Sequence, residues 1–314
     1  MKVALRLKPS ALTAMHPLER LVLIATTGRQ KSVLGRVEHW RQSVGKKNNE
    51  RLIFKFSHQK ISFAMPRTML KDEHWTRLRP ILLDLNIYDK GNLRQTVEGI
   101  LYRMRVGCPW RDLPEYFGKP DTIYKAYQRW FRSNKLIQLF ALLVKDSDLE
   151  WIFIDGTHIK AHQHSSGGNE NLQSISKSVA GRATKIHLAV DAHGNPITFI
   201  LSDGTTHDVK IAPDLIDNID LSATVTVCAD KGYDSEALRA YIKQAGTRDN
   251  IPRKRNTKSS NDHMDWDLYK VRHLVENAFA KLKNYRAVAT RFDKLKQSYE
   301  NTVALACAYL WLKL

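Results

Sequence analysis

Three carboxylates stand at points in the sequence where a folded chain would present them. Asp155 ends the apolar run Trp151-Ile152-Phe153-Ile154 and is followed by Gly156-Thr157. Asp230 follows the apolar stretch Ala223 to Cys228 and opens Asp230-Lys231-Gly232-Tyr233-Asp234. An apolar run that breaks into an acid and a turn is the pattern of a buried strand with a carboxylate at its end. Aspartate is also a common turn residue, so either instance alone reads as turn chemistry. The third acid, Glu276, lies in the stretch Leu268 to Asn284, which reads as one helix. At roughly 100° per residue, Tyr269, Arg272, Glu276 and Lys283 share an arc about 60° wide. Val271, Leu274, Val275, Ala278, Phe279 and Leu282 gather on the other side. A surface ladder of ion pairs would have this pattern, and so would a third metal-binding carboxylate.

Three carboxylates suit a hard cation. Mg²⁺ takes oxygen ligands, usually a few carboxylates completed by waters and substrate phosphate oxygens. Two such ions clamp the attacking and leaving oxygens of an in-line phosphoryl displacement. A zinc site would need a tetrahedral His/Cys set. His158, His162 and His164 have no matching partners in sequence, and Cys108, Cys228 and Cys307 stand far apart. The same cysteine spacing offers no disulfide framework and suits a reducing compartment.

The chain has 314 residues and carries 50 Lys and Arg against 32 Asp and Glu, a formal net charge of +18. Such an excess implies a polyanionic partner. A hydrophobic fraction of 43% excludes a wholly disordered basic tail. The longest uninterrupted apolar stretch, Val303 to Leu312, falls well short of the roughly 20 residues that span a bilayer, so no membrane partner is expected. The charge is uneven. Residues 1–64 hold 13 Lys and Arg and 3 Glu. Apart from Leu21 to Ala25 they read as polar and loop-like. They are expected to be a basic, weakly structured extension, either an arm that grips phosphates or an addition upstream of a true start at Met65.

Organised helical patterning begins after Met65. Trp75, Leu78, Ile81, Leu82 and Leu85 recur at helical spacing, with a kink or break expected at Pro80. Leu93 to Val106 reads as a second helix, and Gly107 to Pro114 as a turn with a short helix. Asp121 is expected to cap a third helix. There Ile123, Ala126, Tyr127, Trp130 and Phe131 form an apolar stripe, opposite Lys125, Gln128, Arg129 and Arg132. A tri-helical unit ending in such a helix is how a helix-turn-helix DNA reader is built, although an ordinary bundle with a solvated basic face looks the same. From Leu149 strand patterns take over: Trp151 to Ile154, Lys185 to Val190, a hairpin turn at Asp191 to Asn195, Pro196 to Leu201, and Ala223 to Cys228. Residues 163–183 and 246–261 read as loops, the second of them basic. A helix runs from His207 through Ile216, and Ser235 is expected to cap another over Glu236 to Gln244. Trp266 reads as a buried anchor or as a side chain that stacks on an unpaired base.

Three segments together, Phe153-Ile154-Asp155-Gly156-Thr157, Ala229-Asp230-Lys231-Gly232-Tyr233-Asp234-Ser235 and Arg272-His273-Leu274-Val275-Glu276-Asn277-Ala278-Phe279, resemble the DDE transposases of bacterial insertion sequences. The insertion-sequence-five family is the nearest group. The spacing of Tyr269, Arg272, Glu276 and Lys283 matches the Y-R-E-K signature of the wider insertion-sequence-four-like superfamily. The resemblance runs from about Met65 to Leu314. It implies an α/β fold: an RNase H-like catalytic core, a mixed sheet flanked by helices, preceded by an all-α helix-turn-helix-like domain. The implied boundaries are 1–64 for the extension, 65–145 for the DNA-binding helices and 146–314 for the catalytic domain. Asp155 would sit on the first strand, Asp230 after the fourth and Glu276 on a following helix, with no long insertion between the last two.

The resemblance further implies that Asp155, Asp230 and Glu276 are catalytic and hold two Mg²⁺ ions, with Mn²⁺ as a substitute. Tyr269, Arg272 and Lys283 would meet phosphates near the scissile bond, and Lys125, Gln128, Arg129 and Arg132 would contact DNA. The implied partner is double-stranded DNA, as terminal inverted repeats and as target, bound by a homodimer in the bacterial cytoplasm at the nucleoid. Two other classes fit the residues: an RNase H-like nuclease that cuts without joining, and a DNA-binding regulator that leaves its acids unused.

Overall fold

The fold is organised around one long strand, β1 (Trp151–Ala161). Its alternate residues serve two separate cores. Ile152 and Ile154 pack in one cluster, while Phe153 and Ile159 join a larger cluster on the opposite face. A strand covered on both faces reads as an unbroken apolar run, and this one does from Trp151 to Ile154. The computed structural model describes residues 66–165, 173–178, 181–255, 257 and 259–314. The extension expected over residues 1–64 lies outside them.

After a short β2 (Ser176–Ser178), β3 (Gly181–Val190) runs antiparallel to β1, and β4 (Pro196–Asp203) runs antiparallel to β3. On the other side of β1, β5 (Thr226–Cys228) is parallel to it and β6 (Arg248–Asn250) is parallel to β5. The order β4-β3-β1-β5-β6, three antiparallel strands continued by two parallel ones, is that of the RNase H-like sheet.

Helices cover both faces. Four precede the sheet: α1 (Asp72–Asp84), α2 (Leu93–Val106), α3 (Pro120–Arg132) and α4 (Lys135–Leu143). Between β4 and β6, α5 (Asp208–Asp217) and α6 (Glu236–Gln244) place Ala212, Leu215, Ile216, Leu238 and Ile242 against Ile152, Ile154 and Val227. The chain ends with α7 (Trp266–Lys270), α8 (His273–Lys283), α9 (Arg286–Ala289), β7 (Thr290–Arg291) and α10 (Lys296–Leu312). From Asn301 onward the last helix is buried nearly all round, which accounts for the apolar run Val303 to Leu312. It joins the first helices to the sheet. Tyr309 donates to the carbonyl of Met69 at 2.6 Å, and the Trp311 indole donates to that of Pro196 at 2.7 Å. Residues Ala64–Leu314 accordingly form one unit. Among the described residues no helix is long and apolar enough to cross a membrane.

Several local expectations need correction. The first helix runs through Pro80 unbroken from Asp72 to Asp84, and four helices stand before the sheet, not three. The third begins at Pro120, whose missing amide costs nothing in a first turn, so Lys119 takes the cap position and Asp121 lies inside. Ser235 does stand at the start of α6, but without a side-chain capping bond. Strand β3 starts four residues before Lys185, because Gly181 to Ala183 pair with β2 on one side, and Ala183 and Thr184 pair with Lys160 and Ile159 of β1 on the other. Strand β1 continues six residues past Asp155, so that acid sits within the strand and not at its end. The single helix expected over Leu268 to Asn284 is two, divided at Val271 and Arg272.

Candidate active site

Register sets the first two acids level. Phe153 lies opposite Cys228 on the parallel pair β1 and β5, and Asp155 and Asp230 each follow two residues later. Strand β5 stops at Cys228 and β7 pairs with β1 only at Lys160 and Ala161, so between them β1 lacks a parallel neighbour and its carboxylate stands at an open notch. Asp230 turns the chain: its Oδ1 accepts the Gly232 amide at 2.7 Å and starts the 3₁₀ turn Lys231–Tyr233. Asp155 Oδ1 accepts the Gly156 amide at 2.7 Å.

Helix α8 crosses this face of the sheet and supplies the rest. Arg272, the residue at its N-terminal boundary, reaches Asp155 Oδ2 at 3.5 Å and Glu276 Oε1 at 2.5 Å. Its guanidinium thus links the first and third acids. Two turns along, Lys283 Nζ donates to Thr157 Oγ1 at 2.7 Å, two residues past Asp155 on β1. Tyr269, on α7, lies 5.8 Å from the Arg272 guanidinium. Trp266 meets Tyr269 edge-on at 5.8 Å and is 49% exposed, which rules out a buried anchor. Lys125, Gln128, Arg129 and Arg132 are on α3; Lys125, Arg129 and Arg132 are exposed and Gln128 half-buried, and none of them bonds to the acids.

The electrostatics follow from this packing. Burial pushes the Asp155 carboxyl up to about 6; the Gly156 amide and Arg272 oppose the rise, and the carboxylates of Asp230 and Asp208 add to it. Arg272 is half-buried, and despite that burial the charges of Asp155 and Glu276 hold its proton above the usual guanidinium range.

Sequence reasoning missed the layer beneath. Asp208, the first residue of α5, pairs with Lys185 Nζ at 2.6 Å and stands 3.0 Å from His187 Nδ1. The other nitrogen of His187 bonds to Ser202 Oγ at 2.8 Å. Burial works against Asp208, yet His187 and Lys185 hold its carboxyl below the usual range. Gly156 lies against this group, so it can carry no side chain. The Tyr233 hydroxyl, buried without a hydrogen-bond partner, is pushed well above its ordinary value by burial and by Asp208, Asp155 and Asp230. The sequence signal was available in the pair His207-Asp208 after a strand, but it read only as a helix start.

Among the described residues no three Asp, Glu, His or Cys side chains lie close enough together to hold a metal ion. The donor chemistry nevertheless fits a hard divalent cation: the candidate ligands are all carboxylates, and one is burdened by uncompensated burial. What keeps the third apart from the others is Arg272, whose positive charge lies between Asp155 and Glu276.

A family model described as "Transposase DDE domain" matches residues 146–311, and one described as "Putative transposase of IS4/5 family" matches residues 70–140. A Brucella ovis protein named "Putative transposase for insertion sequence element IS6501" is 38% identical over 130 residues, covering 41% of this chain and 98% of its own length. A Sinorhizobium fredii protein named "Uncharacterized protein y4sN" is 36% identical over 101 residues, covering 31% of this chain and 81% of its own. Among solved structures, the piggyBac transposase synaptic complex with hairpin DNA superposes with a TM-score of 0.45 at 9% identity, covering 77% of this chain and 72% of the other.

Proposed function

Since the chain belongs to the DDE transposases of the IS4/5 type, we propose that it binds the inverted-repeat ends of an insertion sequence, cleaves the DNA strand there and transfers the freed end to target DNA. Members of this family are enzymes that work with a divalent metal; here the proposed ion is Mg²⁺, two per site, held by Asp155, Asp230 and Glu276. Bound there, the ions would supply the positive clamp that steadies both the attacking and the leaving oxygen.

The observation that supports this most is the pairing register that sets Asp155 and Asp230 level at the notch where β5 ends, with Glu276 on α8 joined to Asp155 by the Arg272 guanidinium. Two successive displacements at phosphorus are proposed. In the first, water attacks the strand, a new P–O bond forms and the old one to the 3′ oxygen breaks, which leaves a 3′-hydroxyl. In the second, that hydroxyl attacks a target phosphate and the target's own 3′ oxygen departs. Arg272 and Lys283 would meet phosphate oxygens in charge-assisted contacts, with Tyr269 beside them. Glu276 must first exchange its partner Arg272. The helices over 65–145 are proposed as the DNA-binding domain, with Lys125, Gln128, Arg129 and Arg132 facing the duplex, and 146–314 as the catalytic domain. Two ends have to be held together, so a homodimer on DNA is proposed as the working state.

The test uses labelled duplex taken from the DNA on either side of the coding region, where the proposal expects short inverted repeats. Mg²⁺-dependent nicking and a joined target product are expected from the parent protein. Asp230→Ala should bind the same duplex and not cut it. Cutting by that variant would refute the metal assignment, and nicking without any joined product would mark a nuclease.

A further inference from the structure

A basic cleft of about 620 Å³, lined by none of the three acids, opens between the segment that leads into α1, the end of α2, Tyr285 and the end of α10. Arg67, Lys71, Arg105 and Lys313 line it, together with Tyr285 and Tyr309, and no acidic side chain does. Lys71 is engaged by Glu73 at 2.9 Å. The other three cations have no ion-pair partner among the described residues. Glu98, whose charge bears on Tyr309, is buried and occupied by the amides of Met69 and Leu70.

Two of these cations, Arg105 and Lys313, are held in place by their neighbours. Arg105 donates to the carbonyl of Arg67 at 2.7 Å and packs over the Tyr102 ring at 5.4 Å. Lys313 Nζ stands 4.7 Å from the Tyr309 ring centre and 3.5 Å from the Tyr285 hydroxyl. Burial, and then the charge of Arg67, lower the Lys313 ammonium below its usual range, as expected where like charges gather without a counterion. Gathering like charges in one cleft costs free energy that an anion would return. Arg and Lys over aromatic rings, with the Tyr285 hydroxyl as an added donor, suit the tetrahedral oxygens of a phosphate.

We propose that Arg67, Arg105 and Lys313 form a second phosphate-binding site, for the backbone of double-stranded DNA, separate from the acid site. The proposal rests on the transposase reading. The cleft shares no residue with the catalytic constellation, so it would grip duplex away from the phosphate being cut. A contact of this kind fixes position without reading sequence.

The experiment compares the full chain with Arg67→Gln/Lys313→Gln, measuring duplex affinity across salt concentrations. Each phosphate contact contributes about 0.9 to the slope of log affinity against log salt. The double variant should lose about 2 from that slope, and restoring charge with Lys313→Arg should recover about half. Duplex DNA should also protect Lys313 from an amine-acylating reagent, whereas inorganic phosphate at matched phosphate concentration should not. An unchanged slope in the double variant, while the parent still binds DNA, overturns the cleft and leaves the transposase reading standing. Protection by inorganic phosphate alone would make it a small-anion site and overturn the backbone assignment. A parent protein that binds no DNA would refute both readings.

Discussion

The carboxylate of Asp208 occupies the space that a side chain at residue 156 would need: a methyl group built on Gly156 would fall far inside van der Waals contact of Asp208 Oδ1 and 2.9 Å from the Lys185 side chain. The residue after the first acid is therefore bare because an ion pair stands behind it. Gly156→Ala should force the Asp208–Lys185 pair to move and should destabilise the fold by about 1–3 kcal/mol, the usual cost of overpacking a filled interior. Urea unfolding measures it. A variant with the parent's midpoint would show that the pair yields freely.

Asp155 carries a stability cost. Its folded-state pKa of about 6 lies above the ordinary 3.8, so ionising it is harder in the folded chain than in the unfolded one. The penalty is full above about pH 6, shrinks as pH falls and is gone below about 4. Asp155→Asn should raise the melting temperature at pH 8 with a chelator present, and the gain should vanish near pH 4. Its ceiling is about 3 kcal/mol, at roughly 1.4 kcal/mol per tenfold change in proton affinity. Equal melting curves for the two proteins at pH 8 would contradict the buried, uncompensated carboxylate.

Arg272 serves two acids at once, and a lysine cannot. A planar fork can reach Asp155 and Glu276 together, whereas an ammonium is a single point of charge. Arg272→Ala should lower strand cleavage by about 10²-fold or more. Arg272→Lys should restore little of it. Full rescue by lysine would mean that charge alone matters there.

Glu98 is 4% exposed and accepts the amides of Met69 and Leu70 at 2.7 and 2.8 Å. Glu98→Gln keeps the shape but turns one acceptor into a donor facing an N–H. The expected loss is about 1–3 kcal/mol, read as a lower denaturant midpoint. No loss would show that these amides find other partners.

What the residues disclosed was local. The acids after Trp151 to Ile154 and after Cys228, the helical arc shared by Glu276 and Lys283, and the whole of α2 could be read from spacing, because each depends on the chain's own neighbours. Features set by distant contacts could not. The early start of β3 is hidden because Ala183 and Thr184 read as the end of a polar loop until Lys160 and Ile159, more than twenty positions earlier, pair with them. The division of the helix at Arg272 depends on a pull toward Asp155, 117 positions earlier in the chain. Periodicity cannot see either partner.

Helix α10 bears on how the protein comes into being. The front helices are synthesised first, yet the partners of Met69 and Tyr127 are Tyr309 and Thr302, 240 and 175 positions later. On the ribosome those helices wait with an apolar face uncovered until residues 296–312 have emerged. A chain cut short by a frameshift or a premature stop lacks that helix and cannot close the unit that bears the acids. Closure of the unit thus waits for the last helix to be made, so the front helices and the sheet are completed together and not in the order of their synthesis.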